Sequence, residues 1–522
     1  MQQVPQQKAS GSIAGNAEVL RGGGVELHIA PDGVALVPMS ITDERRPDAA
    51  EWSEVESVEA DAGRGRLTLT FRGSRDPWTI TGAARPEVLW AQDGIERELE
   101  RARAREHEAF RGRASLEQIA SALEQFGDGV AAQPTVIAEL LCVQAARNRA
   151  TDVHLQPVRR RMKARMRIDG QLMEAGEVPR EVGSRVIARL KVLAQMRSYT
   201  ADGPQTGRLI MPVDERTIDV RLTTMPTIHG EKLTLRIFDP ATQWIDLDGL
   251  GMDEQTLARY RRIISNPTGC VITTGPAGAG KTTTSYASLA ALRDSDTARA
   301  ISTVEEPVEL DIPGVDQTEI DRARGLDFAA ALRTVLRQDP QVLMVGEVRD
   351  RETAQIAMQA ALTGHMIFTT VHAPDAAGVF ARLMDLGLEP YLVASSISAV
   401  VAQRLVRTVC DDCAETAEPD AGDLEAAGLT EADVAGWQLR RGSGCGRCAG
   451  TGYHGRTGLF ELLPMTDSLR EAILERRPVS EIERIAQSEG IGDLWEAGLA
   501  MVRAGETTLA ELVRVLGRRE GR

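Results

Sequence analysis

The strongest chemical signal in the chain is the run Gly275-Pro276-Ala277-Gly278-Ala279-Gly280-Lys281-Thr282, which reads G-x-x-x-x-G-K-T. Gly275, Gly278 and Gly280 let successive backbone N–H groups curl around phosphate oxygens, and a helix starting behind them adds partial positive charge. Lys281 is placed to reach the β- and γ-phosphates of a nucleotide. The Thr282 hydroxyl is placed to ligate Mg²⁺, and Thr283 completes the binding set. A second group is acidic. Glu305 closes the apolar run Ile301–Val304 and Glu347 follows Val342–Val345, so each carboxylate stands at a strand end and can orient or deprotonate water. Gly346 occupies the place where an Asp would normally hold the metal. His365 and His372 frame a third apolar run. A lone histidine is usually structural, but this pair points to a phosphate sensor, with His372 the candidate.

Upstream, Arg221 and Arg236 sit in two short strands on either side of a loop, and Arg208 follows Gly207. An arginine delivered from a neighbour stabilises charge on a γ-phosphate, which makes these three candidates for that task. Downstream, Cys410-x-x-Cys413 and Cys445-x-x-Cys448 form two knuckles. Four thiolates suit tetrahedral Zn²⁺ in a closed, structural site, with a disulfide pair as the competing reading. Cys142 and Cys270 are isolated in apolar surroundings and read as small buried side chains.

These residues need a scaffold. Cys270–Thr274 reads as a buried strand and Thr283–Arg293 as a helix, with Tyr286, Leu289 and Leu292 at helical spacing. Apolar strands then recur with acidic ends, the pattern of an α/β nucleotide-binding sheet. Ahead of it, Pro134–Arg149 is an amphipathic helix, and the strand Lys163–Ile168 carries Lys163, Arg165 and Arg167 on one face, either solvated or binding. Residues 1–24 are expected to be disordered and 112–133 to be a polar linker with one short helix. Between them, 25–111 alternates as hairpins and ends in a helix with Val88, Leu89, Ile95 and Leu99 on one side. That stretch resembles a small pleckstrin-homology-like barrel, with a generic α+β adaptor as the alternative. Ser468, Ser480 and Thr508, each followed three residues later by Glu, read as capping boxes of a helical tail over 464–517.

With 522 residues the chain is too long for one core. Its net charge of −15 argues against a bulk electrostatic hold on nucleic acid. No apolar run reaches the length of a membrane span, and the N-terminus lacks the apolar core of a signal peptide, so the expected location is cytoplasmic.

The order GPAGAGKTT, TVEEPVE, LRQDPQVLMVGEVRDRETA, TGHMIFTTVHAPDA, preceded by ATDVHLQP, RMRIDG, PQTGR and VRLTTMPTIHGEKLTLRIFD, resembles the secretion ATPases that assemble type IV pili and type II secretion pseudopili (the GspE/PilB group). The resemblance covers about Pro134 to Gly517. It implies a multidomain α/β protein: a RecA-like P-loop ATPase domain over 244–517, a zinc insert over 408–450, and a PAS-like second domain over 134–243. It implies ATP, Mg²⁺ and Zn²⁺ as cofactors. Glu305 falls in the family's acidic box, Glu347 in Walker B and His372 in the histidine box, while Arg221 and Arg236 fall on arginines that reach the nucleotide. It further implies a homohexamer that moves an inner-membrane platform protein and associates peripherally with the inner membrane through partners. The zinc insert is typical of assembly ATPases and missing from many retraction ATPases. The departures are Glu306 for a usual Asp, Ala277 and Ala279 for Thr and Ser, and Pro374 for Asn. They leave room for a nucleotide-gated regulatory ring with little hydrolysis; a DNA-translocating relative is the other rival, disfavoured by charge. The N-terminal module is expected to dock the cytoplasmic part of a secretion or pilus component, rather than lipid.

Overall fold

Period-two alternation near the N-terminus builds two small antiparallel sheets. The computed structural model describes residues 18–22, 25–30, 33–38, 48–51, 54–71, 76–105, 112–127, 133–239, 246–295 and 299–519. They form two units, Met1–Ile237 and Phe238–Arg522. In the first, β1 (Glu18–Gly22), β2 (Val25–Ala30), β3 (Gly33–Pro38) and β4 (Asp48–Glu51) pair in sequence order, as do β5 (Val55–Asp61), β6 (Arg66–Phe71) and β7 (Trp78–Thr81). Leu27, Ile29, Val34, Leu67, Leu69 and Ile80 share one core, which α1 (Arg85–Arg105) closes with Val88, Ala91 and Ile95. This is the strand-and-closing-helix layout expected there. Two details differ. Residues 18–22, expected to be disordered, form a strand paired from Glu18↔Ile29 to Gly22↔Val25. Leu89 is 48% exposed, because the buried stripe runs through positions 88, 91 and 95 and leaves 89 off it. The remainder of 1–24 and the side chain of Leu99 lie outside the described residues.

The rest of the first unit begins with α2 (Leu116–Gly127) and α3 (Pro134–Arg147). Residues 112–127, expected in a linker, are packed structure. Ile119, Ala122, Leu123 and Phe126 are buried in the same core as α3. The Gln144 amide bonds both Gly112 O and Ala114 N at 2.8 Å. A six-stranded sheet follows: β8 (Ala150–Pro157), β9 (Arg161–Ile168), β10 (Gln171–Pro179), then α4 (Arg180–Leu193), β11 (Gln205–Val213), β12 (Arg216–Thr227) and β13 (Gly230–Phe238), in the order β10-β9-β8-β13-β12-β11. At the Gly176 bulge, α2 lies so close that a Cβ would meet Ala120 Cα at 2.8 Å. On the basic face of β9, Arg161, Lys163 and Arg167 have carboxylates beside them. Lys163 meets Glu174 at 2.6 Å, Arg161 meets Glu177 at 2.8 Å and Arg167 lies 3.6 Å from Asp152.

The second unit opens with α5 (Glu254–Ile264) and a strand–helix alternation. In chain order come β14 (Gly269–Thr274), α6 (Lys281–Arg293), β15 (Ile301–Glu305), β16 (Asp316–Glu319), α7 (Phe328–Val335), β17 (Val342–Val345), α8 (Arg351–Leu362), β18 (Met366–Val371), α9 (Gly378–Asp385), α10 (Pro390–Ser396) and β19 (Ile397–Val409). Then β20 (Ala414–Thr416), α11 (Ala421–Ala427) and β21 (Arg440–Gly442) precede β22 (Tyr453–Pro464). The sheet order is β16-β15-β17-β18-β14-β19-β22, and only the β19–β22 pair is antiparallel. β15, β17 and β18 are buried throughout, as a parallel sheet covered on both faces requires. Four tail helices complete the unit: α12 (Asp467–Leu474), α13 (Val479–Ser488), α14 (Leu494–Arg503) and α15 (Leu509–Leu516). Of the three expected capping residues, Thr508 caps α15. α12 is capped two residues earlier, by Thr466, and α13 starts after Pro478 without a side-chain cap. Among the described residues, no helix is long and apolar enough to cross a membrane.

Candidate functional site

β14 carries the chain through the core to Gly275, where φ is 149°, followed by φ of 75° at Gly278 and 86° at Gly280. A side chain at position 275 would meet Gln403 O at 2.4 Å, and one at 280 would meet Gln403 Nε2 at 2.7 Å. Backbone angle and space both call for glycine at these two positions. α6 then starts at Lys281 with no side-chain cap, which leaves its first N–H groups for a ligand. Lys281 Nζ donates to Gly275 O and Pro276 O, each at 2.9 Å. Burial pulls this ammonium below the ordinary lysine value; Glu347 opposes that pull and Arg404 adds to it. Thr282 and Thr283 occupy the first helical turn.

A cleft of about 200 Å³ brings together Lys281, Thr282, Glu305, Glu306, Glu347 and His372. Parallel strands explain the convergence, since β15, β17 and β18 all end at the same edge. Glu305 is buried and held on both oxygens. Oε1 accepts from Thr303 Oγ1 at 2.6 Å and Gln317 Nε2 at 3.1 Å, and Oε2 accepts the Tyr286 hydroxyl. The Tyr286 phenol is pushed up strongly by burial and by Glu305, so it stays protonated and donating. Glu347 is held more lightly: Arg349 meets Oε1 at 2.5 Å, and Oε2 lies 3.9 Å from His372 Nε2. Glu306 is bound by both arms of Arg322, at 2.6 and 2.8 Å, which hold its carboxyl below the ordinary glutamate value. The longer side chain at this position therefore points to Arg322.

The two histidines are separated. His372 lines the cleft, whereas His365 stands at the opposite end of β18 with Nδ1 3.0 Å from Ala360 O, a structural role. The candidate arginines belong to the first unit. Arg236 Nε lies 3.2 Å from Asp152 Oδ1 and Arg208 Nε 3.0 Å from Asp219 Oδ1, both guanidinium groups about two-thirds exposed. Arg221 stands opposite Arg208 in the β11–β12 register. Sequence reading missed Tyr286, Thr303 and Gln317 around Glu305, Arg322 at Glu306, and Gln403 behind the loop. Gln403 and Arg404 did leave a trace, as two polar residues interrupting the apolar strand β19.

The four clustered cysteines are free thiols whose sulfurs lie within 4.8 Å of one another. Cys410–Cys445 and Cys413–Cys448 are 3.8 Å apart and Cys445–Cys448 3.7 Å. A tetrahedron of Zn–S bonds of about 2.3 Å has edges of about 3.8 Å. A disulfide would need about 2.05 Å. Backbone N–H groups of Gly444, Cys445 and Gly452 point at sulfur from 3.1 to 3.3 Å. The Cys445 and Gly452 N–H groups, both aimed at Cys448, help draw that thiol down to about 7 although burial works the other way, while the Gly444 N–H goes to Cys413. Donor set and spacing fit Zn²⁺.

Residues 129–514 match the family described as Type II/IV secretion system protein. The chain is 39% identical over 394 residues to "Type II secretion system protein E" of Xanthomonas campestris pv. campestris, covering 75% of this chain and 69% of that protein. It is 41% identical over 372 residues to "Type II secretion system ATPase E" of Vibrio cholerae, covering 71% and 73%. It is 40% identical over 364 residues to "Type IV pilus assembly ATPase PilB" of Thermus thermophilus, covering 70% of this chain and 41% of that protein. Among solved structures, the pilus retraction motor PilT with bound ADP shares its fold at a TM-score of 0.51 and 21% identity, covering 72% of this chain and 96% of PilT. The DotB ATPase of Legionella pneumophila does so at 0.54 and 19%, covering 72% and 94%. With a nucleotide loop, two strand-end carboxylates and a histidine in one cleft, this chain belongs to the Type II/IV secretion system protein family and is an ATPase.

Proposed function

We propose that this chain is a subunit of a Mg²⁺-dependent hexameric ATPase that drives assembly of a type II secretion pseudopilus or a type IV pilus by moving an inner-membrane platform protein. The observation that carries the reading is the single cleft shared by Lys281, Thr282, Glu305, Glu347 and His372. The loop amides and Lys281 bind and orient the phosphates of ATP. Thr282 would hold Mg²⁺, which neutralises phosphate charge when bound. Glu347, with one oxygen lightly engaged, takes the proton of the attacking water. Glu305, fixed by three donors, keeps the cleft's geometry. His372 registers the γ-phosphate. Arg221 and Arg236, with Arg208, supply positive charge to that phosphate. Cys410, Cys413, Cys445 and Cys448 would hold a structural Zn²⁺ whose four sulfur ligands leave no position for water. The N-terminal module docks the cytoplasmic part of a secretion or pilus component and so brings the ring to the inner membrane.

Phosphate release tests the chemistry. Lys281→Ala abolishes turnover, and Glu347→Gln retains ATP without cleaving it. Wild-type turnover in a Lys281→Ala preparation free of contaminating ATPase refutes the reading. Sedimentation with a non-hydrolysable ATP analogue tests the hexamer, and a monomer at working concentration refutes the ring.

A further inference from the structure

β19 passes directly behind the phosphate-binding loop, and there its apolar run gives way to Gln403 and Arg404. Gln403 is 2% exposed. Its side chain accepts from Thr284 Oγ1 at 2.8 Å, on the first turns of α6. Its carbonyl and its amide are the atoms that a Cβ at 275 or 280 would strike. Gln403 thus backs the loop at both ends.

The Arg404 guanidinium lies alongside. Nη1 donates to Gln403 O at 2.9 Å and stands 3.3 Å from where a Cβ on Gly275 would be. Nη2 donates to Pro374 O at 2.6 Å. Pro374 is two residues beyond His372, so one planar cation spans the loop's backing strand and the segment that carries the histidine. That segment has two further ties. The Thr274 hydroxyl meets Ala373 N and Ala373 O, each at 3.0 Å, and Glu461 accepts the Ala376 backbone N–H. Three anchors therefore fall on residues 373 to 376, from the loop's own strand β14, from its neighbour β19 and from β22 beyond it.

We infer that Gln403 and Arg404 are positioning residues that lock the His372 segment to the phosphate-binding loop, so that His372 meets the γ-phosphate at a fixed distance from Lys281. The inference rests on the ATPase reading above. Arg404 suits the task because its fork reaches two carbonyls at once, which an ammonium cannot do with the same rigidity. Its half-buried charge is favoured by Glu461 and Asp375 and is felt at Lys281. The brace also tolerates Pro374 where the resemblance calls for Asn. The contact uses the main-chain carbonyl, which proline keeps.

The test compares full-length wild type, Arg404→Gln and Arg404→Lys. Phosphate release, nucleotide affinity by fluorescent ATP analogue, thermal melting and amide hydrogen exchange are measured on each. Losing a charge-assisted hydrogen bond is expected to lower kcat about tenfold in Arg404→Gln and less in Arg404→Lys, with affinity within about threefold. The amides of Ala373, Asp375 and Ala376 exchange about tenfold faster, while the melting temperature stays close to wild type. Wild-type kcat or wild-type exchange in Arg404→Gln overturns the inference. So does a parallel loss of kcat, affinity and melting temperature in both variants, which marks general structural support. If wild type releases no phosphate yet the variant's amides still exchange faster, the ATPase reading fails while the brace itself stands.

Discussion

Replacing Tyr286 by Phe removes one oxygen from the buried centre of the motor unit. Tyr286 is 6% exposed, and Phe keeps its ring in place, so no cavity opens. Two contacts are lost: the hydroxyl's bond to Glu305 Oε2 and the Glu309 N–H that it accepts at 3.3 Å. Glu305 keeps Thr303 and Gln317 on Oε1 but has lost its partner on the other oxygen. A hydrogen bond to a charged group contributes about 1.5–3 kcal/mol, so the unit loses about 2 kcal/mol. For a unit of this size that is a drop of about 5 °C in melting temperature. The freed carboxylate also samples other rotamers, and turnover falls about tenfold while ATP affinity holds, because the lost hydroxyl bonds Glu305 and the Glu309 N–H rather than the phosphate loop. The pH dependence has a definite sign. Tyr286 is raised in the folded state above its ordinary value of 10.0, so its contribution is fully present below pH 10 and is lost as pH rises beyond it. Wild type and Tyr286→Phe should differ equally at pH 7 and pH 9, and the gap should narrow only above pH 10. Calorimetric melting and phosphate release at saturating ATP measure these quantities. A variant with wild-type turnover and melting within about 1 °C refutes the view that Tyr286 holds Glu305.

Three other outcomes are expected. Metal analysis of protein never exposed to chelator finds one zinc per chain, and Cys445→Ser loses it while still binding nucleotide; finding no zinc in wild type refutes the site. Glu461 is raised from 4.5 to about 7 by burial and by Asp375, Asp493 and Glu483, so its contribution is full below pH 4.5 and lost as pH rises through 7. Glu461→Gln should flatten the melting temperature between pH 6 and 8, and an unchanged slope counts against this origin. Glu231→Ala leaves the Lys191 ammonium, 1% exposed, with only Thr200 O, and should cost about 3 kcal/mol in denaturant unfolding; a loss under about 1 kcal/mol would mean that Lys191 escapes to water.

The nucleotide cleft was legible because its parts are short contiguous signals. A glycine loop declares its own backbone, and a carboxylate after an apolar run marks the open end of a strand. What stayed hidden depends on register or on partners distant in sequence. Tyr286 read as a core position on α6, which it is, but its oxygen meets Glu305, nineteen residues on. The basic stripe on β9 read as either solvated or binding because Glu174, Glu177 and Asp152 lie on neighbouring strands and come beside Lys163, Arg161 and Arg167 only once the sheet is assembled. Residues 112–127 read as part of a linker with one short helix because the stretch is polar. The spacing of Ile119, Ala122, Leu123 and Phe126 was helical all along, and the missing information was that β10 has a glycine bulge for it to lie on.

The four-thiol cluster and the phosphate-binding loop, far apart in sequence, meet on one element. β19 is 13 residues long, about 40 Å when extended, and Cys410 follows its last residue. Gln403 on this strand backs the loop. Four residues later Arg407 binds the buried Glu511 of α15 through its backbone N–H, Nε and Nη2 at 2.7–3.0 Å, with its guanidinium 4.0 Å from the Tyr453 ring. Burial alone would raise the Glu511 carboxyl, yet Arg514 and Arg407 hold it below the ordinary glutamate value. A carboxylate so deeply enclosed is costly unless both cations stay in place, which fixes α15 to the strand. Val409 N donates to Glu506 O at 2.8 Å, and the β22 ladder runs alongside from Ala399 to Val409. A strand tied by a ladder and an arginine–carboxylate cluster cannot slide without breaking several bonds together. The cysteine knuckles are therefore built onto the same rigid frame that sets the shape of the phosphate loop.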